Sequence, residues 1–188
     1  MGKLYSEMDD SLRAFIEAQR VFFVATAPAG PDGHINLSPK GLDALRILGP
    51  RTLAYLDVVG SGVETIAHLR QNGRIVLMLC SFEGPPRIVR LYGRGEVLEP
   101  QDAAFPSLQR HFPAAPGLRS IIRVEVERIA ESCGYGVPLF RFEGQRSHLA
   151  AWSERKGKEG LAEYQRQHNA ASLDGFPGLR WAGHSQEP

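Results

Sequence analysis

Tyr55-Leu-Asp-Val-Val-Gly-Ser-Gly-Val-Glu-Thr-Ile-Ala-His-Leu-Arg-Gln-Asn-Gly73 decides which fold this chain can adopt. It has the pattern of a strand end, a tight glycine turn and a short helix. Ser61 precedes Glu64 by the three-residue spacing of a helix capping box. Gly60 and Gly62 suit a sharp turn and leave room for a ligand to approach the main chain. The first N–H groups of such a helix have no intrahelical acceptor, and the helix dipole favours an anion there. Asn72-Gly73 supplies the stop signal. The stretch is a candidate phosphate cradle, with plain helix capping as the other use of the same residues.

At 188 residues the chain is expected to be a single domain (1–188) with a substantial core. Apolar content of 43% and charged content of 23% are those of an ordinary globular protein. A net charge of +1 gives no reason to expect nucleic acid or an anionic membrane surface as partner. Cys80 and Cys133 are too few for a disulfide framework and lack metal-ligand spacing, so a reduced cytoplasmic setting is expected, with one bridge left open. The acidic N-terminus has no signal-peptide core, and the longest apolar run, Ile75 to Cys80, is far too short to span a bilayer. Met1-Gly2 with Ser6 matches a myristoylation pattern only by its short length.

Around the cradle, Asp9 to Gln19 reads as a helix with Leu12, Phe15 and Ile16 on one face. Val21 to Ala27 is a strand, Asp32-Gly33 a hairpin turn, and His34 to Lys40 the returning strand, where Asn36, Ser38 and Lys40 share a face. Thr52 to Asp57 leads into the cradle. Arg74 to Phe82 is apolar without alternation, which predicts a strand covered on both sides. Arg87 to Glu99 is a long strand whose Gly93 and Gly95 predict a bulge. Pro100 to Phe112 starts helical and is interrupted at Pro106. Ser120 to Ile129 alternates as a half-buried strand, and Gln145 to Asn169 predicts two helices split near Gly157 or Gly160. Roughly six strands without alternating helices favour a small antiparallel barrel (about 20–130) with flanking helices and a helical tail (about 140–170).

In order, Phe-Val-Ala-Thr-Ala27, Asp32-Gly-His-Ile-Asn-Leu-Ser-Pro-Lys-Gly41, Tyr55-Leu-Asp-Val-Val-Gly-Ser-Gly62 and Gly73-Arg-Ile-Val-Leu77 resemble the pyridoxamine 5'-phosphate oxidase-like flavoproteins of the FMN-binding split-barrel superfamily. The likeness covers about residues 10–130, and the Gly-Ser-Gly-x-Glu-Thr form, with Ser132-Cys-Gly-Tyr-Gly-Val-Pro138, looks like a bacterial branch of it. The resemblance implies a mainly β, six-stranded antiparallel split barrel that forms a homodimer with FMN at the subunit interface. It implies that Asn36, Leu37 and Ser38 face the flavin ring and that Lys40 reaches the phosphate. Asp57 and Val58 would end a strand beside the cofactor, with Gly60, Ser61 and Gly62 at the phosphate and Glu64 and Thr65 nearby.

The vitamin oxidases of this family carry a Ser-Arg-Lys cluster at the turn, where this chain has Ser61-Gly-Val-Glu64. A phosphate beside Glu64 is repelled unless that carboxylate turns into its capping role, and Lys40, with Arg70 or Arg74, would have to supply the cations. Trp152 and Arg155 only loosely match the vitamin-binding C-terminal segment, so the expected activity is an FMN-dependent oxidoreductase acting on a small molecule other than the vitamin. The flavin would carry the chemistry, and no side chain is singled out as catalytic. The alternative is a non-catalytic flavin-, deazaflavin- or haem-binding protein. No metal site is expected, because His34, His68, His111, His148, His168 and His184 are scattered, and each reads as a surface or half-buried side chain.

Overall fold

The computed structural model describes residues 2–183, so the Met1 of the short N-terminal pattern and His184 lie outside it. The chain runs β1 (Lys3–Tyr5), α1 (Asp10–Ala18), β2 (Phe22–Thr26), β3 (Asn36–Lys40), β4 (Leu45–Ile47) and β5 (Thr52–Val58). It continues through α2 (Glu64–Asn72), β6 (Arg74–Cys80), β7 (Ile88–Leu98), α3 (Phe105–Gln109), β8 (Leu118–Ser132) and α4 (His148–Asn169). The strands form one sheet in the order β3-β2-β6-β7-β8-β5-β4, with β1 added against β8. Every pairing is antiparallel. The chain is mainly β, an antiparallel half-barrel flanked by helices. Among the described residues, eight strands exceed the expected six by β1 and β4, three residues each, too short to show a period in sequence.

The core fills the concave side of this sheet. Leu53 and Tyr55 of β5, Leu77 and Leu79 of β6, Leu91 of β7 and Ile122 and Ile129 of β8 are all buried there. Each of the leucine and isoleucine side chains contributes roughly 1.5–3 kcal/mol by leaving water. Helix α1 packs Leu12 and Ile16 onto it, and its start is capped by Asp9, whose carboxylate accepts the Leu12 N–H at 2.8 Å.

The expected bulge lies between Tyr92 and Gly93. A Cβ at Gly93 would stand 2.1 Å from the Glu125 carbonyl oxygen, so only glycine lets β7 and β8 close there. Gly73 ends α2 at φ 68° and donates its N–H to Leu69 O, as the stop signal requires. Gly157, at φ 65°, divides the C-terminal helix into two pieces, across which Trp152 and Tyr164 meet edge to face at 4.9 Å.

Two expectations are corrected. Pro106 opens α3 instead of interrupting a helix, because the first turn needs no proline N–H. Strand β6 is covered on one side only: Ile75, Leu77 and Leu79 are buried, while Val76 and Met78 on the other face stay half-exposed.

Candidate functional site

Strand β3 and the loop leading from β5 into α2 face each other across a cavity of about 570 Å3, within the ordinary range for a small-molecule site. Nine of the residues singled out from the sequence line it: Asn36, Ser38, Lys40, Val58, Gly60, Ser61, Gly62, Glu64 and Thr65. Leu56, Ala44 and the segment from Pro113 to Pro116 supply apolar wall. Leu37 does not share this surface. The pleat of β3 turns it to the opposite face of the sheet, where it is 66% exposed, which corrects the expectation that it flanks a ligand with Asn36 and Ser38.

Asp57 lies behind the cavity wall and is fully buried. Arg119 donates from Nε to Asp57 Oδ2 at 2.7 Å, Ser120 Oγ donates to the same oxygen at 3.0 Å, and Lys40 Nζ stands 3.6 Å from Oδ1. Burial alone would push the Asp57 carboxyl up, but the Arg119 and Lys40 charges and the Arg119 and Ser120 hydrogen bonds prevail and hold it below its ordinary value. Two cations therefore share the one buried anion, while the Glu64 carboxylate also lines the cavity.

Arg119 is the charged cavity residue that sequence reasoning missed. Arg70 and Arg74, expected as cation sources, are spent elsewhere. Arg70 donates to Gly178 O and Glu99, and Arg74 donates to Asn72 Oδ1 at 3.4 Å and to Pro28 O at 3.2 Å. A signal for Arg119 existed: a carboxylate inside the apolar run Tyr55 to Val59 demands a buried partner. Only the pairing of β5 with β8, which sets Asp57 opposite Ser120, shows which arginine answers.

The start of α2 departs from the expected capping box. Val63 is the N-cap and no side chain caps it. Among the described residues, Ala67 is the first whose N–H finds a helical acceptor, Val63 O at 3.1 Å. The preceding carbonyls are held: Gly60 O accepts from Asn169 Nδ2 at 3.0 Å and Gly62 O from Arg119 Nη1 at 2.8 Å. Glu64 Oε1 accepts the Leu173 N–H at 3.2 Å instead of capping. Neither Gly60 nor Gly62 has positive φ, so space is what they supply. A Cβ at Gly62 would stand 2.2 Å from Glu64 Oε2, while one at Gly60 would meet nothing within 4 Å. The free N–H groups and the dipole favour negative charge at this helix start, where the Glu64 carboxylate already lies close to Gly62.

Behind β3, His68 of α2 is fully buried, which corrects its reading as a surface or half-buried side chain. Its Nδ1 lies 3.0 Å from Thr26 Oγ1. Asn36 Nδ2 donates to Thr26 Oγ1 at 3.2 Å and to Thr65 Oγ1 at 3.0 Å, and Ser38 Oγ donates to Asn36 Oδ1 at 2.9 Å. Ser38 is thus bonded to an amide and has no base to activate it as a nucleophile. The cavity thus brings Lys40, Arg119 and the uncapped start of α2 together with an apolar wall.

A profile of the pyridoxamine 5'-phosphate oxidase family matches residues 8–133. A pyridoxamine 5'-phosphate oxidase family protein, ustO of Aspergillus flavus, is 39% identical over 199 residues, covering 97% of this chain and 80% of that protein. A candidate pyridoxamine 5'-phosphate oxidase from Lactobacillus delbrueckii has a similar fold, at TM-score 0.53 and 18% identity, over 68% of this chain and 98% of that one. A HupZ variant from Group A Streptococcus matches at TM-score 0.52 and 22% identity, over 66% of this chain and 99% of that one. The fungal relative shows that the likeness reaches beyond bacterial proteins. Sequence match and half-barrel fold agree: the chain belongs to the pyridoxamine 5'-phosphate oxidase family.

Proposed function

We propose that this chain binds FMN in the cavity between β3 and α2 and acts as a flavin-dependent oxidoreductase on a substrate other than the vitamin phosphate. The carrying observation is the convergence of Lys40, Arg119 and the uncapped start of α2 on one cavity whose walls also include Leu56, Val58 and Ala44. The phosphate would take the helix start and the cations, and the ring the apolar wall. Bound there, FMN would supply hydride or electron transfer, while the protein orients it and excludes water. The loose match of Trp152 and Arg155 to the vitamin-binding C-terminal segment supports a substrate different from the vitamin.

The same reading makes the working unit a homodimer, with barrel and tail as one domain. Leu37, Ala25, Val76 and Tyr92 form one cross-strand row on the convex face of β3, β2, β6 and β7. Ile35 (77% exposed), Leu37 and Tyr92 (39%) leave the middle of that face apolar and open, with Arg90 and Arg94 beside it. A second copy seated there would cover the half-exposed Val76 and Met78 with the rest of that row. A cytoplasmic setting fits the two unpaired cysteines, and among the described residues no helix is long and apolar enough to cross a membrane.

Purified protein should be yellow and release FMN on denaturation. Colourless protein that takes up no added FMN would overturn the proposal. Protein that holds FMN yet exchanges no electrons with reduced nicotinamides or oxygen would favour the non-catalytic flavin carrier.

A further inference from the structure

Beyond the turn that follows β3 lies a second hollow, a groove of about 500 Å3. It shares Pro39, Lys40, Gly41, Leu42 and Leu149 with the cavity between β3 and α2, so the two spaces meet along one wall. That wall is fixed in place. Leu42 and Asp43 both sit at positive φ, 61° and 54°, which side chains rarely adopt and which persists only where neighbours enforce it. Gln145 Oε1 accepts the Leu42 N–H at 3.2 Å, and Arg46 Nη1 and Nη2 grip the Asp43 carboxylate at 3.0 and 2.8 Å.

Charge is divided unevenly between the two spaces. The cavity carries the Glu64 carboxylate, with Asp57 behind its wall. Arg20, Arg146 and His148 line the groove, and among the described residues no carboxylate does. The acids at its margins are engaged elsewhere: Asp43 by Arg46, and Glu83 by the Phe142 N–H at 3.2 Å. Among the described residues neither Arg20 nor Arg146 has an ion-pair partner, so Glu17, close to Arg20 in sequence, does not neutralise it. Lys40 belongs to both spaces, but its ammonium lies 3.6 Å from Asp57 Oδ1. The Arg20 guanidinium stands 5.6 Å from the centre of the exposed Phe142 ring, a cation–π contact that steadies it beside an aromatic surface.

We propose that this groove is the substrate subsite and takes the acidic group of an organic anion. Arg20 and Arg146 would hold that group, since guanidinium forks match oxyanions such as carboxylates. The apolar body would lie on Phe142, Leu42 and Leu149, and the remainder would cross the shared wall into the cavity. What the substrate meets in the cavity rests on the FMN reading, whereas the preference of the groove for anions is a property of the protein alone.

Calorimetric titration with benzoate, phenyl phosphate and the neutral benzamide tests it. At least one of the two anions should bind, with benzamide weaker on the order of tenfold, and the tighter anion names the acidic group. Arg20→Gln and Arg146→Gln, both at exposed side chains, should each weaken the anion on the order of tenfold and leave FMN affinity unchanged. Benzoate should also bind to FMN-loaded protein without displacing the flavin. Failure of both anions to bind, or benzamide binding as tightly as they do, would overturn the proposal. Anion binding untouched in the double Arg20→Gln, Arg146→Gln variant, or lost only in Lys40→Ala, would do the same by placing the anion outside the groove. If the native protein takes up no FMN yet binds benzoate through Arg20 and Arg146, the FMN reading fails and the groove stands.

Discussion

Arg119 joins two parts of the chain that sequence alone leaves separate: Nε donates to Asp57 Oδ2 at 2.7 Å while Nη1 donates to Gly62 O at 2.8 Å. One side chain therefore neutralises a buried carboxylate at the end of β5 and holds the loop that precedes α2. Arg119→Met should leave Asp57 buried with a single distant cation and cost about 3–5 kcal/mol of stability, the usual penalty for breaking a buried pair. Urea unfolding measures this directly. A loss below about 1 kcal/mol would show that Lys40 can carry Asp57 alone.

Lys40 lines the cavity from β3, so its charge should act on the phosphate of the ligand. Lys40→Ala should weaken FMN on the order of tenfold and leave riboflavin, which has no phosphate, nearly unchanged. Calorimetric titration with both compounds separates the cases. Equal losses for the two would place Lys40 at the ring instead.

Glu64 also lines the cavity and sits at the start of α2 with its carboxylate on the Leu173 N–H. Glu64→Gln keeps that hydrogen bond possible and removes a negative charge near the anion seat. FMN should bind a few-fold tighter while riboflavin stays constant. Weaker FMN binding would assign Glu64 a direct contact with the ligand.

Two buried groups should shape stability against pH. Burial depresses the His68 pKa, so the unfolded chain takes up its proton first, and stability falls as pH drops below about 6.5 toward the lower folded value. The Asp57 pKa is depressed by Arg119 and Lys40, prevailing over burial, so its contribution is intact above about 3.9 and is lost as pH falls toward its lower folded value. Thermal melts from pH 7 to 3 should therefore show His68→Phe flattening the upper limb and Asp57→Asn the lower one. A native-like slope in both variants would show that other groups govern acid unfolding.

The convex face offers a test of assembly. Leu37→Asp with Val76→Asp places charge in the middle of the apolar row without touching the concave core. Light scattering should give twice the chain mass for the native protein and the single mass for the variant. A native monomer would remove the dimer from the proposal.

Much of the fold was legible because its signals are local. The apolar run of β2, the alternation of β3, the Gly73 stop and the Gly93 bulge each depend on neighbours in sequence, and all lie where the pattern puts them. The capping box was misread because Ser61-x-x-Glu64 can be satisfied otherwise. Leu173, more than a hundred residues away, supplies the N–H that Glu64 takes. Leu37 was misplaced for a simpler reason: adjacent strand residues point to opposite faces, so it could not join both Asn36 and Ser38.

By itself the sequence determined the strand and helix types, the glycine-lined turn before α2 and the family, since these follow from residue spacing and motif order. Only the tertiary structure decided which charges meet. It withdrew Arg70 to Glu99, brought Arg119 to Asp57, and buried His68 against Thr26 of β2. Electrostatic partners and hydrogen-bond polarity depend on distances of a few ångströms between segments remote in sequence, and those distances exist only once the sheet has closed.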